Sequence, residues 1–144
     1  VGFLVVVAAL LSVGCARGKS LSDYSAEYSA IVKPAESEIC SFTAFGKTNP
    51  NNAQIEQRFY DHATTVETEG NALLRHAWPA IVEVTMSELA QALIKEATLF
   101  RSFKSYTAQD FQARVSDSIQ EQNALVTEIA AKLKRPIPTE VKCP

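Results

Sequence analysis

The sequence predicts an all-α chain, an antiparallel up-and-down four-helix bundle. Three observations carry that expectation. Apolar residues recur every three or four positions along four long stretches. No stretch alternates apolar and polar residues long enough to propose a strand. Proline, glycine and asparagine gather in short runs between the stretches, and short connections suit neighbouring helices.

Tyr24, Tyr28, Ile31 and Val32 open the first helical face, with Leu21 and Ser22 placed to staple and cap its start. Pro34 either kinks this helix or begins a new one. The face continues through Ile39, Phe42 and Phe45, and Gly46 suits the position just past a helix end. A loop follows over residues 47–52, with the second helix starting at Asn52 or Ala53. Ile55, Phe59, Ala63, Val66, Leu73 and Ala77 mark its inner face. Gly70 and Asn71 form a weak point where it bends or breaks, which decides between four helices and five. Pro79, after Trp78, suits the first position of the third helix, whose face is Val82, Met86, Leu89, Leu93, Ala97, Phe100 and Phe103. Ser105, Tyr106 and Thr107 make the last loop, and Thr107 with Asp110 resembles a capping box. Phe111, Val115, Ser118, Gln122, Leu125, Ile129 and Leu133 form the fourth face, which Pro136 and Pro138 end.

Ahead of the bundle, residues 1–13 read VGFLVVVAALLSV, an almost unbroken apolar run. A membrane-spanning helix needs about 20 such residues. The run is too short for that but fits the apolar part of a secretion signal. A signal begins with Met and basic residues, so the chain is expected to start inside its own signal. Three readings are open. Ser12-Val13-Gly14-Cys15 matches the lipobox of bacterial lipoproteins, in which the cysteine thiol takes a diacylglycerol; the match is good at Gly14 and Cys15 and weaker at Ser12. Alternatively, Gly14-Cys15-Ala16 is a cleavage site that frees a soluble protein, or the run is part of a longer anchor. The lipobox reading is preferred. It divides the chain into an anchor at 1–15, a tether at 16–22 and a helical domain at 23–144.

Cysteine parity agrees with it. With Cys15 as the lipid attachment site, Cys40 and Cys143 remain, and an oxidising compartment would join them in a disulfide, the alternative being two buried free thiols. A loop of about 100 residues closed in this way stabilises by roughly 4.7 kcal/mol in the chain-entropy model. No C-x-x-C is present to suggest thiol–disulfide catalysis.

The 144 residues suit one domain. Hydrophobic residues are 47% and charged residues 21%, which argues against wholesale disorder. A net charge of −2 argues against coating nucleic acid. His62, Glu69 and His76 recur every seven residues on the second helix, steps of about 10 Å that one ion cannot bridge. A metal site would need Glu83 or Glu88 from the third helix, and a boundary histidine is the preferred reading. Glu36 with Glu38, and Glu67 with Glu69, read as solvated helix surface. The sequence carries no G-x-S-x-G, H-E-x-x-H or phosphate-binding loop, so no catalytic residue, metal ligand or cofactor is expected. The aromatic residues near the helix ends read first as packing and second as a groove for an acyl chain, glycan or partner helix. Lys132, Lys134 and Arg135 read as solvated groups complementing a helix dipole, with anionic lipid contact as the weaker option.

Residues 72–80, ALLRHAWPA, precede a long helix, and residues 131–136 read AKLKRP. In these features the chain resembles small actinobacterial envelope lipoproteins of unknown function. The resemblance implies an exported lipoprotein with a helical domain and supplies no substrate, cofactor or catalytic residue. The functional expectation is a binding or accessory subunit on the outer face of the bacterial cytoplasmic membrane. Its partners would be the membrane, through the anchor, and an envelope or membrane protein, not nucleic acid. The alternative is an extracytoplasmic carrier of a small apolar ligand.

Overall fold

Hydrogen-bonding side chains decide where three of the four helices begin. The computed structural model describes residues 18–135, apart from the side chains of Ala35, Glu36, Ile39 and Thr43. Four α-helices run over Leu21–Gly46 (α1), Asn52–Arg75 (α2), Ala80–Arg101 (α3) and Ala108–Lys132 (α4), and Phe103–Ser105 forms a 3-10 turn. No strand occurs among the described residues, so the expected all-α class holds. None of these helices is long and apolar enough to cross a membrane. The anchor with Cys15, and the tail with Cys143, Pro136 and Pro138, lie outside the described residues.

Ser20, not Ser22, caps α1: its hydroxyl accepts from the Asp23 amide at 3.3 Å, and its own amide donates to the Asp23 carboxylate at 2.7 Å. Asn51 and Gln54 make the same reciprocal pair at α2, with distances of 3.0 and 2.9 Å. Thr107 caps α4 through the Asp110 amide at 3.1 Å, as expected. Each cap satisfies an amide that the helix cannot. Asn51→Ala is therefore expected to destabilise the protein by about 1 kcal/mol, read from the urea midpoint.

Pro79 is the residue before α3 rather than its first, and it offers no side-chain cap. Pro34 neither ends α1 nor starts another helix, since α1 runs through it. Pro34 and Ala30, the residue four back whose carbonyl loses its partner, are both exposed, so the unpaired group is not enclosed in the core. Gly46 is the last residue of α1, and the left-handed position belongs to Asn49, with φ 50°. α4 stops before its prolines. The Arg135 amide donates to the Ala130 carbonyl at 2.8 Å and the Lys134 amide to Ala131 at 3.2 Å. With Lys134 at φ 53°, this is a Schellman closure, which satisfies the end carbonyls without proline.

α2 is unbroken at Gly70. It packs along α3, which in turn packs along α4, while α1 lies against α2. With neighbours on two sides, α3 buries a wide arc: Val82, Thr85, Met86, Leu89, Ala90, Ala92, Leu93, Glu96, Ala97 and Phe100. Ala63, Val66 and Leu73 of α2, Tyr28 and Val32 of α1, and Ile129 of α4 complete the core, with Leu133 just beyond α4. Phenylalanines close one end. Phe59 lies 5.3 Å from both Phe100 and Phe111 and 5.9 Å from Phe42, ring centre to ring centre. These are ordinary separations for packed rings, so the aromatic residues there are core, as first read.

Candidate functional site

A charged group lies inside that core. Leu93, Glu96, Ala97 and Phe100 follow the i, i+3, i+4, i+7 rule, so the fold that buries the three apolar residues also buries the carboxylate. The Glu96 side chain is 7% exposed and the facing His62 side chain 12%. His62 reaches it from α2, with Nε2 2.8 Å from Glu96 Oε1. Ser118 and Gln122, one turn apart on α4, supply the other oxygen. Ser118 Oγ donates to Glu96 Oε2 at 3.3 Å, and Gln122 Nε2 donates to the same atom. Three helices thus converge on one carboxylate.

Burial pushes the Glu96 carboxyl upward, but hydrogen bonds from His62, Gln122 and Ser118, with the charge of His62, hold it below its ordinary value of 4.5. An ionised carboxylate only accepts, so His62 carries a proton on Nε2. Its Nδ1 is buried without a partner among the described residues. The ring lies instead against Phe100 and Phe42, with centres 4.4 and 5.6 Å away.

Serine, histidine and glutamate together suggest a nucleophilic triad, but the connectivity is wrong for one. In a triad, histidine stands between the hydroxyl and the carboxylate and takes the hydroxyl proton. Here the carboxylate stands in the middle, bonded to both His62 and Ser118. The base that the Ser118 hydroxyl meets is the carboxylate itself, not an imidazole. The arrangement ties three helices to one carboxylate.

Glu96 and Ser118 also floor an open groove of about 370 Å³ between α3 and α4. Lys95 and Glu121 bridge one side of it at 3.1 Å. On its wall the Arg114 guanidinium lies over the Tyr106 ring, 4.9 Å from the ring centre.

The histidines considered as metal ligands part company. His76 Nε2 pairs with Glu27 of α1 at 3.0 Å and stacks near Trp78, with ring centres 4.1 Å apart. Neither histidine is paired with Glu83 or Glu88, and no group of three His, Cys, Asp or Glu able to hold a metal occurs among the described residues. The surface reading of the acidic pairs needs correction. Glu69 is 7% exposed, and Glu38 is largely buried, meeting Arg58 at 2.9 Å. The Glu36 side chain lies outside the described set, whereas Glu67 does sit at the surface with Arg101. Nor is Lys132 simply solvated: it contacts Glu128 at 2.5 Å and donates to the Thr85 hydroxyl at 2.9 Å. Arg135 lies over the Tyr28 ring, 5.6 Å from its centre.

The sequence expectation set the histidines against Glu83 or Glu88 of the third helix, whereas His62 meets Glu96. A signal was there: Ser118 and Gln122 interrupt the apolar face of α4, and a polar pair on an inner face requires a polar partner opposite. Against known protein families, curated proteins and solved structures the chain gives no match.

Proposed function

We propose that this chain is a lipid-anchored, antiparallel four-helix bundle that works by binding. In this reading it is an accessory subunit on the outer face of the bacterial cytoplasmic membrane. Cys15 carries the lipid, and a Cys40–Cys143 disulfide ties the tail to α1. The observation that carries the reading is an exposed apolar strip. Ile81 and Val84, neighbours one turn apart on α3, are 52% and 67% exposed. Large apolar side chains adjacent to one another at the surface suit a contact with another protein. The buried polar groups support the same view, because His62, Ser118 and Gln122 are all engaged on Glu96. The resemblance to actinobacterial envelope lipoproteins agrees with it.

Chain length supports placement near a membrane if Cys15 carries the lipid. α1 begins at Leu21, so five peptide units separate Cys15 from the Ser20 cap. Fully extended, they reach about 17 Å, which holds the domain against the headgroups. An apolar carrier is the weaker reading. A gap lined by Tyr28, Val32, Val126 and Ile129 has about 40 Å³, room for a few waters but not for an acyl chain.

The test is made on native membranes. High salt is expected to leave the protein in the pellet, and radiolabelled palmitate to mark it unless Cys15 is replaced by serine. Affinity purification in mild detergent should retain an envelope protein, which Ile81→Asp together with Val84→Asp releases. Salt extraction of unlabelled protein defeats the anchor. A retained partner indifferent to the double substitution defeats the strip.

A further inference from the structure

We infer that the groove between α3 and α4 binds a neutral, hydroxyl-rich ligand of the carbohydrate class. The inference rests on the reading of the chain as a binding domain and names what this second surface takes.

Several polar groups of the groove are already engaged. Thr98 donates its hydroxyl proton to the Ile94 carbonyl at 3.1 Å, and Ser102 donates to the Thr98 carbonyl at 2.8 Å. Both hydroxyls therefore present lone pairs to the groove and no proton. Asp117 has no hydrogen-bond partner among the described residues and adds a free carboxylate. Arg114 has no carboxylate partner there and adds free donors beside the Tyr106 ring. Lys95 and Glu121 are engaged on each other. The groove thus offers acceptors at Thr98, Ser102 and Asp117, donors at Arg114, and the Tyr106 ring with its hydroxyl, while Lys95 and Glu121 spend one contact on each other and keep further donors and an acceptor at the rim.

Charge comes next. At the rim Lys95 and Arg114 balance Asp117 and Glu121. Beneath them, Glu96 is held by His62, Gln122 and Ser118. A balanced rim gives no net pull on a strong anion or cation. A zwitterionic amino acid could pair with Asp117 and Arg114. In an open groove, however, each such pair is screened by water and contributes little. It would also leave Thr98 and Ser102 unused. These two hydroxyls lie a helical turn apart, about 6 Å, and across the groove from Asp117. One ammonium cannot span them, whereas a ring of hydroxyls can, because every hydroxyl both donates and accepts.

Shape agrees. A volume of about 370 Å³ lies at the small end for ligand pockets and holds roughly one or two sugar rings. The Tyr106 ring offers an apolar wall for the C–H face of such a ring, and its hydroxyl offers a further polar contact.

The test uses the full chain, labelled with nitrogen-15, in mild detergent. Glucose, N-acetylglucosamine, maltose and N,N′-diacetylchitobiose are titrated, with glycine and glutamine beside them. The expected result is saturable shifts from at least one sugar, confined to the amides around Thr98, Ser102, Tyr106 and Asp117. Asp117→Ala, a surface change, should keep the rest of the spectrum and weaken binding on the order of tenfold. Tyr106→Ala should do the same. Absence of saturable shifts with all four sugars overturns the inference, as does saturation by the amino acids alone. Neither result bears on the affinity purification that tests the Ile81 and Val84 surface, so this inference and the binding-domain reading fail separately.

Discussion

Gly70→Ala is expected to destabilise the protein by about 2 kcal/mol, although alanine is the better helix former by ~1 kcal/mol. The reason is a close approach of two helices. A methyl group built at Gly70 would sit 2.8 Å from the Ala90 carbonyl oxygen, 3.0 Å from Ile94 Cγ1 and 3.4 Å from Leu93 Cβ. The Ile94 side chain can turn aside, but the Ala90 oxygen belongs to the backbone of α3 and cannot. Relief requires moving α2 away from α3 along the most extensive helix contact in the molecule. Overpacking of this kind typically costs 1–3 kcal/mol, which outweighs the gain in helix propensity.

Gly46 supplies the control. A methyl group there meets nothing within 4 Å, and no glycine among the described residues has a positive φ. Gly46→Ala should therefore leave stability unchanged or raise it by about 0.4–1 kcal/mol. The two substitutions remove the same conformational freedom from the unfolded chain, so the difference in their urea midpoints reports native packing alone. Equal midpoints would mean that α2 and α3 do not approach at Gly70.

The same glycine shows what a sequence can and cannot say. Read along the chain, Gly70 followed by Asn71 is a break, because glycine weakens an isolated helix. In the fold it is the residue that lets α3 come close, and contacts across the pair outweigh the local weakness. Pro34 repeats the point: local rules predict an interruption, yet α1 continues through it where Ala30 and Pro34 are both exposed. Local signals were reliable where the physics is local. Thr107 and the start of α2 were legible because a cap depends on atoms three residues away. The α1 cap was misplaced by two residues, since Ser20 and Ser22 both qualify and only the Asp23 pairing separates them. The candidate site was legible only in fragments. Its residues come from α2, α3 and α4, and no spacing within one helix announces that His62, Glu96 and Ser118 meet.

Glu96→Ala is the larger perturbation, with an expected loss of about 3–5 kcal/mol. The substitution removes the shared acceptor and leaves Ser118, Gln122 and the His62 Nε2 proton in a buried space without it. His62 already has one buried nitrogen without a partner, so the variant would have two. Glu96→Gln separates shape from charge. Its amide oxygen can still accept from Ser118 and Gln122, and its amide nitrogen can donate to Nε2 once the imidazole proton moves to Nδ1. A loss of about 1–2 kcal/mol is expected, well short of that for alanine. The pH profile distinguishes the two states of the wild type. The Glu96 carboxyl is held below 4.5 in the folded protein, so the folded state binds its proton less readily than the unfolded chain does. Its stabilisation is therefore complete above about pH 4.5 and fades as pH falls through the lower folded value. Acid unfolding monitored by circular dichroism should show this limb in the wild type and a shallower one in Glu96→Gln, which has no carboxyl to protonate. Identical acid limbs would mean that the carboxylate is not what draws the three helices together, and that the polar cluster merely fills space between them.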